Sequence, residues 1–474
     1  MIQIILRGFE NSGNLCSREL RTEAMASNSP PNDRKFFIQT FGCQMNVYDS
    51  DRIAQILTTR NYRQVQDPRE ADLIFVNTCS VREKPEQKVY SMLGRLRALK
   101  ERNPKVILGI GGCMAQQEGE TLLERIPYLD FALGTKEMQR LPEILDEVEF
   151  LGKRKAATAL HGRIDPYQSL ALSPSPRQPT AFVSIMQGCD NFCTFCVVPY
   201  VRGREVSRSS PDILAEINAL CVHGVREVTL LGQNVNSYGK RRAGELGFVE
   251  LLEAIQGIQG LERIRFTTSH PKDLSASLIQ AFGRISKLCE HIHLPLQSGS
   301  NRILRRMNRG YTKEEFIEKV ASLRRSCPGI RITSDLIVGF PGEGDRDFQD
   351  TLEAIEQVQF DDIFSFCYSD RPFARAASFD GKVPQDLSRQ RLMNLQTAQG
   401  EITRTRNKNW EGKEVEVLVE GPTKTNPQEK TGRSRANQIV NFPGKSIEVG
   451  ALVWLKIQKA HAHSFRGELL GGRN

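Results

Sequence analysis

Gly188-Cys189-Asp190-Asn191-Phe192-Cys193-Thr194-Phe195-Cys196 follows directly on the apolar run Ala181–Gln187, and this stretch decides how the centre of the chain is read. The spacing Cys-x3-Cys-x2-Cys puts three thiols on one tight loop at the end of a strand. Three thiolates so placed can ligate three irons of a cubane and leave the fourth iron open. Zinc more often recruits a fourth Cys or His nearby, and none follows within the loop. Downstream, the strand-like runs Glu227–Leu231, Arg263–Thr268, His291–Leu296, Arg331–Val338 and Asp361–Cys367 alternate with helical periodicity. The helical stretches are Pro211–His223, Phe248–Gln256, Leu274–Ile285, Thr312–Ser326 and Asp345–Val358. Six βα units over residues 175–406 predict a partial (βα)6 barrel. Its active face should lie at the carboxyl ends of the strands, where the cysteine loop also lies.

Upstream, residues 34–150 alternate in the same way. Lys35–Thr40, Ala71–Asn77 and Lys105–Ile110 have the pattern of buried parallel strands, with Asp130–Leu133 a weaker fourth, and helical stretches lie between them. This predicts a doubly wound α/β domain. Each of the first three strands ends in a cysteine within a small-residue turn: Cys43 after Thr40-Phe41-Gly42, Cys79 after Asn77-Thr78 and Cys113 after Gly111-Gly112. The carboxyl ends of parallel strands share one edge, so three cysteines remote in sequence should meet there. Buried cysteines are common in cores, but packing alone gives no reason for one just past a strand end three times over. Such a triad can hold zinc with a fourth ligand, or an iron–sulfur cluster.

The segments around these domains are simpler. Residues 1–33 form an extension expected to be disordered, and residues 151–174 a linker leading into the Pro- and Ser-rich Leu170–Pro179. Residues 407–474 alternate sharply over Glu411–Val419, Gln438–Phe442 and Leu452–Ile457, with glycines between, which predicts a small antiparallel β-barrel. Phe442 and Trp454 are expected in its core.

Charge distinguishes the carboxyl quarter. The chain of 474 residues carries +9, and Arg371–Asn474 alone holds 18 Lys and Arg against 10 Asp and Glu. That asymmetry suits a module facing a polyanion, most simply nucleic acid, with Arg433, Arg435, Lys456, Lys459 and Arg466 as candidate phosphate contacts. The remaining composition is that of a soluble protein of two to four domains: 39% apolar and 26% charged residues, with mean hydropathy −0.40. No apolar run approaches the roughly 18–20 residues of a membrane span. Eleven cysteines are too sparse for a disulfide scaffold and suit a reducing, cytoplasmic setting.

The loop Cys189–Cys196 resembles the cluster-binding motif of radical S-adenosylmethionine (SAM) enzymes, in which SAM chelates the open iron. The resemblance implies that Phe195 lies near the adenine of SAM and that the backbone of Ile337–Glu343, including Ile337 and Gly339, contacts it. Gln233, Asn234, Ser269 and Gln297 stand in polar strand-end loops as further candidate cofactor contacts; His270, His291 and His293 are expected to be structural or capping. From Lys35 to Leu469 the chain resembles the tRNA methylthiotransferases, through Asn77–Glu83 (NTCSVRE), Cys189–Glu205, Gly232–Gly239 (GQNVNSYG), Leu294–Thr312 and Ser334–Glu343 (SDLIVGFPGE). The likeness is greatest to the branch acting on isopentenylated adenosine beside the anticodon. One departure is Ser369–Ala377 (SDRPFARAA), where relatives read closer to S-x-R-P-G-T-x-A.

That resemblance implies two [4Fe-4S] clusters, on Cys43/Cys79/Cys113 and Cys189/Cys193/Cys196, and two SAM molecules per turnover. It also implies an OB-like TRAM domain for RNA, the tRNA anticodon arm as partner, an electron donor, a sulfur source and a monomeric enzyme. Two other readings remain at this point. One is the same chemistry on threonylcarbamoyl-adenosine or on a ribosomal protein. The other is a non-catalytic RNA protein holding zinc at both triads.

Overall fold

The computed structural model describes residues 34–79, 83–160 and 178–470, with 83–87 described by their helical backbone alone. The expected extension 1–33, Cys16, the Ser80–Arg82 part of NTCSVRE and most of the expected linker lie outside the described residues.

The first domain is one parallel sheet in the order β2-β1-β3-β4-β5-β6: β1 Arg34–Thr40, β2 Tyr62–Gln64, β3 Leu73–Thr78, β4 Ile107–Gly112, β5 Phe131–Leu133 and β6 Lys155–Ala157. Six strands stand where four were expected. β2 (Tyr-Arg-Gln) and β6 (Lys-Ala-Ala) are three residues long and carry no run of large apolar side chains, and β6 lies inside the segment expected as linker. β3, Leu-Ile-Phe-Val-Asn-Thr, is buried on both faces, as a central parallel strand covered by helices must be. The strand order reverses between β1 and β3, the crevice where open α/β sheets bind ligands.

The central domain contributes β7 Thr180–Ser184, the hairpin pair β8 Met186–Gln187 and β9 Val206–Ser207, then β10 Glu227–Leu231, β11 Arg263–Phe266, β12 His291–His293, β13 Arg331–Val338 and β14 Asp362–Cys367. Two parallel sheets, β11-β10-β7 and β12-β13-β14, are joined by a bridge between Ile264 and Leu288, giving a six-stranded partial barrel. Val228, Leu230, Ile264, Ile292 and Ile332 pack outward against the helices. The alternate residues Thr229, Arg265, His291, His293 and Thr333 line a hollow of about 850 Å³ in the amino half of the barrel. A long helix, Gln385–Lys408, has no counterpart among the expected elements. Its 24 residues carry few apolar side chains, so its periodicity is weak, yet it spans about 36 Å. Ser388 packs against Gly339 at one end, and Asn407 Nδ2 donates to the carbonyls of His461 and Ala462 at the other.

The carboxyl domain is a closed barrel, β15-β16-β17-β19-β18, built from β15 Glu414–Pro422, β16 Glu429–Ser434, β17 Ile439–Pro443, β18 Leu452–Ala460 and β19 Phe465–Leu469. It is antiparallel except where β17 and β19 run parallel, a pairing that alternation cannot reveal. Phe442 is in the core as expected, but Trp454 stands on the outer face at 36% exposure. In β18 the inward phase belongs to Leu455 and Ile457, so Trp454 and Lys456 face out.

This domain docks beneath the amino ends of the barrel strands. Buried Arg263 donates to Arg433 O at 2.8 Å and to Glu416 Oε1 at 2.7 Å. Arg265 grips Glu227 at 2.8 and 3.0 Å and also donates to Ser434 O and Arg435 O. The first domain packs on the barrel's side, through buried Arg52, which donates to Glu216 at 3.0 Å, and Arg208, paired with Glu216 at 2.7 Å.

Candidate active site: two cysteine triads at one mouth

The parallel sheet brings Cys43, Cys79 and Cys113 together, with Cys79 in hydrogen-bond contact with both of the others. Two glycines permit this approach. Gly42, at φ 133°, lies so close that a Cβ would meet Cys79 Cβ at 2.5 Å, and a Cβ on Gly112, at φ 89°, would strike Thr78 O. Asn46 and Asn77 fix the strand ends: Asn46 Nδ2 donates to Thr78 O at 2.9 Å, and Cys43 Sγ donates to Asn46 Oδ1 at 3.3 Å.

The Cys79 hydrogen bond, aided by the positive charge of Arg202, pulls the Cys43 thiol down to about 6 against its burial; the same contacts bring Cys113 to about 7. Cys79 is pushed up by sharing both neighbours. Arg202 comes from the barrel domain. It is 3% exposed, its Nη2 donates to Asp49 at 2.8 Å, and its buried Nη1 has no protein partner. The segment carrying it leaves the cysteine loop directly, and Val197 and Val201 pack on Cys113. The carboxyl edge of the sheet therefore faces the carboxyl mouth of the barrel.

The loop triad is drier. Burial pushes Cys189 up to about 11 and Cys196 to about 12. Arg309 Nη1 donates to Cys193 Sγ at 3.2 Å, with Nη2 held by Pro295 O and Nε by Tyr311 Oη. His270 caps the turn at Pro271: its Nδ1 accepts from Lys272 N at 3.2 Å. The ring proton therefore sits on Nε2, 3.8 Å from Cys193 Sγ. Burial and the nearby cations Arg309, Lys272 and Lys319 hold this imidazole neutral, with its pKa at about 2. The capping expectation for His270 is met. Its contact with Cys193, like those of Arg309 and Arg202 with the thiols, was missed, because no spacing in the sequence couples residues 77 or more apart.

The candidate cofactor contacts divide. Phe195 and Ile337 meet in one apolar cluster with Phe340. Ser269 Oγ and Gln297 Oε1 are buried oxygens without a protein partner, and Gln297 adopts φ 73°. Gln233 and Asn234, by contrast, are spent on the scaffold. Gln233 Oε1 accepts from Gly188 N at 2.5 Å, and Asn234 bonds Asp273 at 2.7 Å and His270 N at 3.1 Å. Gly339 N donates to Glu343 Oε1 at 2.9 Å. His291 and His293 both reach Thr333 Oγ1, inside the hollow.

Among the described residues no three His, Cys, Asp or Glu side chains form a ready ligand set for a single metal ion. Iron–sulfur clusters are held by thiolates, three of them where one iron is left open. All-thiol donor sets beside unpartnered buried N–H and oxygen atoms suit clusters of that kind.

The phosphate candidates are not equivalent. Arg435 faces the barrel, bonding Glu290 at 2.8 Å and the carbonyls of Ser286 and Leu288. Arg433 pairs with Glu420 at 3.0 Å and Arg466 with Glu429 at 2.7 Å. Lys456 and Lys459 are exposed, beside Trp454 on the outer face. The local sequence carried no sign that Arg435 is an interdomain latch.

A partial six-stranded barrel with this cysteine loop at its mouth defines a radical SAM protein, a class that implies SAM and a [4Fe-4S] cluster. The Radical SAM superfamily model matches residues 183–355, the model described as Uncharacterized protein family UPF0004 matches 35–134, and the TRAM domain model matches 408–470. The tRNA-2-methylthio-N(6)-dimethylallyladenosine synthase of Syntrophus aciditrophicus is 52% identical over 92% of this chain and 95% of its own length. Its namesake from Geobacter metallireducens is 52% identical over 92% and 98%. The chain belongs to the family of these synthases. In fold it is similar to the radical SAM methyltransferase TsrM from Kitasatospora setae, with TM-score 0.56 at 14% identity, covering 73% of this chain and 77% of that one. Among the described residues no helix is long and apolar enough to cross a membrane.

Proposed function

We propose that this protein is a cytoplasmic, monomeric enzyme that replaces the hydrogen on carbon 2 of N6-isopentenyladenosine, beside the anticodon of tRNA, with a methylthio group. The observation that carries this reading is the meeting of two cysteine triads at one mouth, joined through Val197–Arg202, in a chain of this family. Cys189, Cys193 and Cys196 would hold one [4Fe-4S] cluster, and Cys43, Cys79 and Cys113 a second. When bound, the two clusters and two SAM molecules per turnover supply radical abstraction of an unactivated hydrogen, and a methylated sulfur to replace it.

The chain's own residues set the geometry. Arg309 and the Nε2–H of His270 donate to Cys193 and fix its direction. Phe195 and Ile337 form an apolar wall suited to the adenine of SAM, and Ser269 Oγ and Gln297 Oε1 offer it hydrogen-bond partners. Gln233, Asn234 and Gly339 shape the loops that surround it. Arg202 sets its positive charge beside Cys43 and Cys113 and favours their thiolates. The target base must leave its stack to reach this mouth. Exposed Lys456 and Lys459, with Arg466 at the edge, would hold phosphates on the carboxyl barrel. An external electron donor and a sulfur source complete the reaction.

Nucleoside mass spectrometry of tRNA from a strain lacking the protein tests this. The methylthio group should vanish while isopentenyladenosine accumulates; an unchanged profile refutes the substrate. Anaerobic purification should yield a brown protein with about eight irons per chain, four per cubane. A colourless zinc protein would end the radical reading.

A further inference from the structure

Outside the triads, the mouth of the barrel carries a row of exposed rings. Phe192, Tyr200 and Phe373 are 38%, 40% and 60% exposed, and their centroids follow one another at 6.4 and 6.1 Å. They come from three places: the cysteine loop, the turn after it and the Ser369–Ala377 segment. Two of them stand on backbone that non-glycine residues avoid, Phe192 at φ 47° and Phe373 at φ 67°. An exposed ring on strained backbone buries little surface and adds little to folding, so its placement asks for a partner.

The surroundings indicate which partner. The Arg204 guanidinium lies 5.3 Å from the centroid of Phe192. Arg305 and Arg375 are exposed and form no ion pair among the described residues. Phe192 and Tyr200, with Arg305 and Arg375, line a cavity of about 470 Å³ that reaches Cys193. Flat apolar faces beside exposed guanidinium groups, those of Arg305 and Arg375 unpaired and that of Arg204 paired with Asp190 at 2.5 Å, match unstacked nucleobases on a phosphate backbone. They match a lipid surface poorly, because the row is only three rings long and cations stand beside it.

We propose that Phe192, Tyr200 and Phe373 form a stacking platform for the unpaired nucleotides flanking the target adenosine, with Arg305 and Arg375 taking their phosphates. The proposal rests on the tRNA reading above and names what holds the loop once the target base has been drawn out. It also supplies a second RNA contact on the face opposite the carboxyl barrel, which docks beneath the amino ends of the strands. Single-stranded loops are recognised in this way, by stacking on aromatic and guanidinium planes.

The test uses the full-length holoenzyme and a synthetic anticodon stem–loop carrying isopentenyladenosine, intact or abasic at the nucleotide beside it. Phe373→Gly removes the ring and accepts φ 67° without strain, so the fold should keep or gain stability. Tyr200→Leu is the second variant and keeps apolar bulk. Each should weaken binding of the intact loop roughly tenfold, the scale of one lost stack. The abasic loop should bind wild type roughly tenfold more weakly but cost the Phe373→Gly protein little more, because both changes remove the same contact. Equal affinity of variant and wild type for the intact loop, or an abasic penalty undiminished in the variant, overturns the platform and leaves the tRNA reading standing. Failure of the wild type to bind the intact loop refutes that reading itself, and the platform with it.

Discussion

The two cysteine triads present similar donors by opposite routes. Cys189, Cys193 and Cys196 stand within eight consecutive residues, so a turn fixes them before any domain is complete. Cys43, Cys79 and Cys113 span 71 positions and meet only because β1, β3 and β4 lie side by side with their carboxyl ends on one edge. The routes leave different electrostatics. The local triad is buried without enough compensation and keeps Cys189 and Cys196 protonated at neutral pH. The assembled triad has Cys79 between two thiols and an arginine lent by the neighbouring domain, and holds Cys43 and Cys113 at about 6 and 7. The locally encoded site takes hydrogen bonds at Cys193 from distant Arg309 and His270 yet stays dominated by burial at Cys189 and Cys196, whereas the assembled one is governed by the thiol and charge its neighbours bring.

The strongest way to break this comparison is to remove each triad in turn. Changing Cys189, Cys193 and Cys196 together to Ala should lower bound iron by about half, one cubane of two, and abolish reductive SAM cleavage. Changing Cys43, Cys79 and Cys113 together should also lower iron by about half, yet leave 5′-deoxyadenosine formation with no thiolated product. Iron analysis and chromatography of the products check both. Full iron in either variant would show that its triad holds no cluster.

Arg202→Gln is expected to act next most strongly, because it leaves Asp49 buried and unpaired, a loss of roughly 3–5 kcal/mol. Asp49→Asn/Arg202→Gln, which removes both charges, should recover most of that in urea denaturation, since the two residues share one interaction. In the loop triad no residue bears such a load, so the contrast sharpens if Arg309→Gln costs clearly less.

A subtler difference lies in thiol reactivity before metal is loaded. Cys43, whose residue is solvent-exposed although its thiol packs against Cys79, and whose thiol is held near 6, should be alkylated first of the six at pH 7, its rate changing little between pH 7 and 9. Cys189 and Cys196 should react slowly and speed up as the pH climbs toward 11 and 12, since a raised pKa leaves little thiolate below it. Site-resolved mass spectrometry reads the order, and fast alkylation of Cys189 at pH 7 would contradict it. Smallest in effect, Lys456→Ala/Lys459→Ala should weaken tRNA binding a few-fold and reduce the salt slope by roughly two, about one per phosphate contact. Arg435→Ala should instead loosen the carboxyl domain, seen as faster proteolysis near residue 408, because its partners are Glu290 and two barrel carbonyls.

By itself the sequence determined the architecture and the local chemistry. The βα alternation, the Cys-x3-Cys-x2-Cys loop and the glycine-punctuated carboxyl segment act over a few residues, and short-range periodicity and turn chemistry are written in neighbouring side chains. The three-residue strands β2 and β6 and the parallel pairing of β17 with β19 escaped because each depends on a partner strand. Only the tertiary structure decided which polar residues meet. It turned Arg435 from a candidate RNA contact into a latch, spent Gln233 and Asn234 on loop geometry, and set Trp454 facing outward. It also brought Arg202 to a triad some 90 residues and more upstream. A buried charge must find its counter-charge wherever the fold brings one near, and that pairing leaves no period or spacing in the chain for a reader to find.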